Sequence, residues 1–383
     1  MRFAAVLVVL ALGGAGAKAD PVRAKNSLAE VADTLAGDIQ TYLKEKNETA
    51  VTLGEFSYKG RGQASGGPLV RLALGDALKA RGIEAKQRSN VRISGDYSEN
   101  EEDGGAGRQV VTITIEVKRF KPEEKLSIPM AVTNPQAVAV LLGLNVTLPP
   151  DATPKDRSVE VRKAADKPEF AATDTVVRNK KDSPFGVEVR VAPPKPVKVD
   201  KNGVRALADY LAQTPKNDEG YAFVPVKRDE VYGVLLVNDA DFDAGVQLRV
   251  DGLSMFSFSD PKLRDPKTNR PVYNYVIVPA KSKVFIRGWH VTNEHSDEFK
   301  ITEYAKSAAA ELNSSAPTGT ITATFHAAWD PKGRPPADEP KNPDEQSLSS
   351  DATGKGARFE QKFVEVQRKV GVAREVVSVR YTK

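Results

Sequence analysis

The most concentrated acidic chemistry in the chain is Asn238-Asp-Ala-Asp-Phe-Asp-Ala-Gly245, in which Asp239, Asp241 and Asp243 alternate. Carboxylates at that spacing match the first three ligand positions of an EF-hand loop, where hard oxygen donors suit calcium. The match then fails. Ala244 stands where the loop turns on glycine, and Val250 stands where the bidentate glutamate belongs. A solvated acidic hairpin loop is the commoner use of such residues. Calcium held in another geometry is the only cofactor the sequence leaves open.

Histidine is scarce: the chain has His290, His295 and His326. His290 and His295 do not form the i, i+4 pair of a zinc-binding helix, and no HExxH occurs. Gly288-Trp-His-Val-Thr-Asn-Glu-His295 could instead line a pocket, with the indole as a stacking surface beside polar groups. This nominates Phe256, Trp289, His290, Asn293 and His295 as binding residues. The competing account buries Trp289 at a strand end, as large aromatics usually are. His326 falls on the Thr-rich side of an alternating strand and is expected to be exposed there.

Serine, histidine and aspartate are present without a nucleophile elbow, since Gly252-Leu-Ser-Met-Phe256 lacks the second glycine. Gly60-Arg-Gly-Gln-Ala-Ser-Gly66 lacks the dinucleotide spacing, and no Gly-Lys-Ser/Thr follows it. Carboxylate pairs for glycoside hydrolysis meet only in the fold. The alternative reading is therefore a hydrolase using Asp241, Asp243 or Asp251 with His290. The leading expectation is that the protein is not an enzyme.

The elements that must position these residues are legible from periodicity. Residues 27–45 place Leu28, Val31, Leu35, Ile39 and Leu43 on one helical face, with Ser27 as N-cap. A strand at 50–56, a glycine-rich loop, a helix at 69–81 closed by Gly82, and strands at 91–97 and 109–120 follow. A short helix at 134–143 begins with Asn134 as N-cap and Pro135 in its first turn. A brief strand is expected at 146–148. Residues 149–182 read as a loosely folded or flexible excursion, 185–191 as a strand, and 192–197 as a stiff proline linker. In the second half, 204–212 reads as a helix and 221–226 as a strand. Residues 231–237 and 246–252 are expected to pair antiparallel across the acidic loop, the first buried on both faces and the second on one. Further expectations are a hairpin of 276–278 with 284–289, a helix at 303–312, a strand at 320–329, a mobile loop at 330–356, and a terminal hairpin of 359–366 with 376–381.

Residues 1–19 have the form of a secretory signal peptide: Arg2, an apolar run from Phe3 to Leu12, then Ala17-Lys-Ala19 with cleavage after Ala19. The expected location is secreted or periplasmic, with no transmembrane segment left after cleavage. The formal charge of +5 includes Arg2 and Lys18, and basic residues do not cluster, so nucleic acid is not an expected partner. The chain has no cysteine, which removes disulfides, thiolate metal sites and cysteine nucleophiles.

Gly54-Glu-Phe56 ends the first strand, and Ile93-Ser-Gly95-Asp-Tyr97 lies in the strand after the second helix. In this order of elements, residues 22–125 resemble the periplasmic α/β domain shared by the TolB amino-terminal region, the curli-secretion lipoprotein CsgG and lipoprotein activators of penicillin-binding proteins. The resemblance implies a non-catalytic, protein-binding module of the cell envelope. The lipoprotein members carry a lipidated cysteine that this chain lacks, so a lipid anchor is not expected.

These readings combine into an α+β protein. A leader (1–19) precedes a small α/β domain (20–148), a charged, proline-rich connector with one strand (149–203) and an antiparallel β-sandwich (204–383). Its expected function is an exported binding or assembly factor contacting an envelope protein or cell-wall polymer through the loops 238–245, 260–271 and 289–297. A structural cell-surface protein is the third reading. The sequence assigns no oligomeric state.

Overall fold

The computed structural model describes residues 22–60, 64–101, 109–196, 205–266, 270–301, 319–340 and 358–381. Its first layer comprises β1 (Arg23–Lys25), α1 (Leu28–Glu45), β2 (Ala50–Tyr58), α2 (Gly67–Ala80), β3 (Glu84–Ala85), β4 (Val91–Glu101), β5 (Gln109–Phe120) and β6 (Glu123–Val132). Ser27 caps α1 in a full capping box with Glu30, which satisfies two otherwise orphaned N–H groups. The strands form one sheet in the order β1-β6-β5-β4-β2-β3. Along β5, Val111, Ile113, Ile115 and Val117 are fully buried while the residues between them are half-exposed, so the helices cover one face. The two glycine motifs are neighbours: Phe56 pairs with Gly95 across β2 and β4. A Cβ on Gly95 would lie 2.3 Å from the Thr114 carbonyl oxygen and 3.1 Å from the Phe56 ring, so only glycine fits there.

Next come α3 (Pro135–Leu142), β7 (Val146–Thr147) and α4 (Pro154–Asp166), then a long run of strands. These are β8 (Ala171–Thr173), β9 (Val176–Arg178), β10 (Phe185–Ala192), β11 (Leu211–Ala212), β12 (Lys216–Asp218), β13 (Tyr221–Val224), β14 (Val231–Asn238) and β15 (Asp243–Val250). They continue with β16 (Leu253–Ser254), β17 (Val276–Val278), β18 (Ser282–Ile286), β19 (Gly288–His290), β20 (His295–Lys300), β21 (Thr320–Trp329), β22 (Arg358–Glu360) and β23 (Lys369–Tyr381). One sheet runs β19-β20-β14-β10-β9-β8, with β11, β18 and β22 attached; the other runs β12-β13-β23-β21-β15-β16, with β17 and β7 attached. Between them lies a core that includes Phe185, Val234, Leu236, Val246, Leu248, Phe299, Phe325 and Val377. The architecture is α+β, mainly sheet, with a sandwich as its larger part.

β4 and β5 pair antiparallel as consecutive strands, but the three hairpins expected in the second half are not hairpins. β14 pairs with β10, β18 and β20, whereas β15 pairs with β21, β16 and β17, so the chain crosses from one sheet to the other at residues 239–242. The same happens between β17, which pairs with β15, and β18, which pairs with β14. β22 joins β20, and β23 joins β21, which undoes the terminal hairpin as well. Both central strands are covered on both faces, including β15, which was expected to be open on one. Asn238 holds the two crossovers together. Its buried Nδ2 lies within hydrogen-bonding distance of the carbonyls of Phe242 (2.9 Å), Val278 (3.0 Å) and Pro279 (3.1 Å), and its Oδ1 accepts from the Ala240 N–H. A side chain here replaces the ladder bonds that a hairpin would have formed.

The expected connector is largely structured. Thr153 caps α4, β8 and β9 extend the sandwich, and β10 pairs along its full length with β14. Within the expected helix 204–212, the described residues form a 3-10 turn at Leu207–Asp209 and the short strand β11, which pairs with β10. The expected helix 303–312 lies outside the described residues. The polar side of β21 is not open to water. Thr320, Thr322, Thr324 and His326 are buried beneath the connection after α3, α4 and residues 336–339. Arg374 there makes a bidentate ion pair with Asp338 and a second with Glu339. The described start of the expected mobile loop is thus docked onto the sheet.

Candidate functional site

β17 and β18 run along one side of the sandwich, each at the margin of its own sheet. A cleft of about 850 Å³ opens between them. Its walls include Tyr273, Tyr275, Val276 and Ile277 on one side and Val284 and Ile286 on the other, with Phe256 and His290 also lining it. Residues 361–368, between β22 and β23, cross it as a strap without regular secondary structure. Val272, Val364 and Val366 stand at the cleft and are 52%, 83% and 45% exposed. A concave, mostly apolar surface with a few polar groups is the usual form of a ligand site.

His290 is the polar centre of this cleft. Its ring lies edge-on to Phe256, Tyr273 and Phe363 at 5.3, 5.6 and 5.1 Å. Burial pushes its pKa below the usual histidine range, partly offset by Asn293 and Glu294. Nδ1 lies 2.8 Å from Ser259 Oγ, and Nε2 lies 3.2 Å from Asn293 Oδ1. Asn293 Nδ2 donates to Tyr273 Oη at 3.1 Å, and the Tyr273 hydroxyl donates to Glu365 Oε2 at 3.0 Å. A carboxylate only accepts, so Glu365 fixes the direction of the chain: Tyr273 donates its hydrogen bond to Glu365, Asn293 turns its oxygen to the imidazole, and Nε2 carries the hydrogen. Nδ1 is then left as an acceptor facing Ser259 Oγ, whose single hydrogen can also go to the Phe256 carbonyl at 2.8 Å. Five side chains form one relay from the sandwich interior to the strap.

Serine, imidazole and amide in line is also the order of a nucleophile, a base and an orienting group. Ser259, however, is buried and takes no part in the cleft lining. His290 is itself buried behind Phe256, Tyr273 and Phe363, so the hydroxyl lies a further layer from the cleft.

Of the candidate residues, Phe256, His290 and Asn293 come together in the cleft, joined there by Asp243. Trp289 does not. It is 3% exposed and packs edge-on to Phe258 and Phe299, at 5.3 and 4.8 Å, inside the sandwich core. His295 is exposed, pairs across to Glu360 and lies beside Thr292. The acidic loop does not converge on an ion: Asp239 pairs with Arg178, Asp241 with Lys281 and Asp243 with Arg368. Among the described residues, no group of three or more histidine or carboxylate side chains could hold a metal ion. Asp251 lies away from His290. It accepts from the Gly319 and Thr320 N–H groups and the Tyr381 hydroxyl in a fully buried site, and burial raises its pKa.

Sequence reasoning missed Tyr273, Tyr275, Phe363 and Glu365. Val272-Tyr-Asn-Tyr275 did carry a signal, because two tyrosines two residues apart share one side of an extended segment. Phe363-Val-Glu-Val366 was absorbed into an expected strand. No family model, curated protein or solved structure matches this chain.

Proposed function

We propose that the protein is a non-catalytic, exported binding or assembly factor of the cell envelope, and that it holds an extended segment of a partner protein in the cleft between β17 and β18. The observation that carries this reading is the state of the cleft's polar groups. Its carboxylates and its histidine are already paired: Asp243 with Arg368, and His290 through Asn293 and Tyr273 to Glu365. Such groups orient a ligand without being poised to transform one, while the aromatic walls and the exposed Val272 offer it apolar area. Residues 1–19 favour export, and the likeness of 22–125 to envelope domains favours a protein partner over a small molecule. Among the described residues, no helix is long and apolar enough to cross a membrane.

One observation favours a second reading, a hydrolase: two carboxylates, Asp243 and Glu365, line the same cleft. A photo-crosslinking residue at Val272, with a control at Leu207 outside the cleft, separates the two in the protein's own cells. We expect a partner-protein adduct at 272 that Tyr273→Ala abolishes and that position 207 does not give. Release of a glycan or peptide fragment by the purified protein, lost in Asp243→Asn or Glu365→Gln, would overturn the reading in favour of a hydrolase. Adducts only to other copies of the chain would overturn it in favour of a structural surface protein, and no adduct at 272 would overturn it outright.

A further inference from the structure

The strap that crosses the cleft is itself an extended chain seated in it. Its backbone continues the β22–β20 pairing: the Gln361 N–H donates to the Glu294 carbonyl at 2.9 Å and the Phe363 N–H to the Asn293 carbonyl at 2.7 Å. Alternate side chains then make the contacts with the cleft walls. Gln361 Nε2 reaches the Phe285 carbonyl, Phe363 stands edge-on to His290, and Glu365 takes the Tyr273 hydroxyl. Lys362 and Val364 between them are exposed and make no such contact, while Glu365, also exposed, is tied to the wall by its bond to Tyr273. This two-residue rhythm is how a peptide is read when it lies as an added strand: main-chain bonds hold it, and every second side chain enters a pocket.

The strap is also lightly held. Upstream, Phe359 is 5% exposed and lies under the Arg287 guanidinium at 4.5 Å; downstream, Lys369 begins β23. Between these anchors Phe363 is only half-buried, and Val364 is the most exposed large apolar residue among those described. A segment with few buried contacts between two fixed ends opens at low cost.

We infer that residues 361–368 are a built-in occupant of the cleft, and that the partner segment displacing them is an extended peptide carrying an aromatic residue followed two positions later by a carboxylate. The aromatic takes the place of Phe363 against His290. The carboxylate takes the place of Glu365 as acceptor of the Tyr273 hydroxyl and so preserves the direction of the relay to His290. An amide at that position would bring a competing donor to Tyr273, and an apolar residue would leave the hydroxyl unpaired. This inference rests on the cleft being the binding site proposed above.

The chain has no cysteine, so Val364→Cys carries a single spin label at an exposed position. The probe is a synthetic peptide with the sequence of residues 361–369, Gln-Lys-Phe-Val-Glu-Val-Gln-Arg-Lys, added to the mature chain. We expect the label to become mobile as the peptide binds. Its Glu→Gln version should bind about tenfold more weakly, the loss of one hydrogen bond to a charged group. Phe363→Ala/Glu365→Gln in the protein should tighten peptide binding about tenfold, because a larger fraction of molecules has an open cleft. A label that stays immobile while the peptide binds, equal binding of both peptides, or no binding to any variant overturns the inference. The Val272 crosslink reads the site and the Val364 label reads the strap, so an adduct at 272 with an immobile strap sinks this inference and leaves the binding site standing.

Discussion

His326 and Glu375 sit on neighbouring strands, β21 and β23, and burial moves both away from their charged forms. His326 donates from Nδ1 to the Gly371 carbonyl. Burial lowers its pKa to about 4, with Arg157, Arg374 and Arg249 adding to the effect. Burial raises Glu375 to about 7, although the Ser183 hydroxyl, donating at 2.6 Å, stabilises the carboxylate and limits the rise. The histidine binds its proton less readily than it does in the unfolded chain. Its contribution to stability is therefore complete above about pH 6.5 and is lost as the pH falls toward 4. The glutamic acid runs the other way: its contribution is present below about pH 4.5 and is lost as the pH rises through 7. Between 4.5 and 6.5 the two slopes oppose each other. Glu375→Gln should expose the histidine slope, so that stability rises with pH across this window, and should stabilise the protein at pH 8 by about 1–3 kcal/mol. Urea unfolding at pH 5, 6 and 8 checks both parts. A variant with the parent's profile would mean that burial does not control Glu375. The sequence placed His326 on the correct side of its strand but not in the correct environment. Alternation tells which residues share a face; it does not tell what covers that face.

At the scale of the element, helices were read well because their signals are local. Ser27 and Asn134 cap where their spacing predicts, and Asn134 accepts from the Ala137 N–H. Strand positions were read nearly as well, but their partners were not. β14 is buried along its whole length, so it lacks the alternation that would mark one face as outer. Four residues between two strands suit a hairpin as well as they suit a crossover between facing sheets. Asn238 decides, by capping three carbonyls at the corner. Asn238→Ala strands those groups and the Ala240 N–H and should cost about 2–3 kcal/mol, a larger loss than a loop substitution normally brings. Chemical denaturation measures it; a loss below about 0.5 kcal/mol would show that water replaces the side chain without penalty.

Across the whole molecule, the first layer and the sandwich share a core. Ala373 and Val376 of β23 belong to the same apolar cluster as α1, α2 and the first sheet. β7 pairs with β23, the Ser378 N–H donates to Asn145 Oδ1 at 2.7 Å, and the Ser378 hydroxyl donates to the Leu144 carbonyl at 3.2 Å. Separating the halves would open apolar surface and orphan buried polar groups together. Calorimetry should therefore give one unfolding transition with matching calorimetric and van't Hoff enthalpies. Two resolved transitions would mean that the shared core contributes little.

The sequence by itself determined the helices, the capping residues, most strand positions and an α+β class, because each rests on the physics of a few neighbouring residues. It also brought Phe256, His290 and Asn293 to notice through residue type alone. Only the tertiary structure decided that Trp289 fills the sandwich core, that the three loop aspartates part to three different cations, and that Tyr273 completes a relay with Asn293 and Glu365, 20 and 92 positions away. Pairing across facing sheets joins segments whose chain separation carries no signal. The covering of a polar strand face likewise depends on an element that the strand's own residues do not describe.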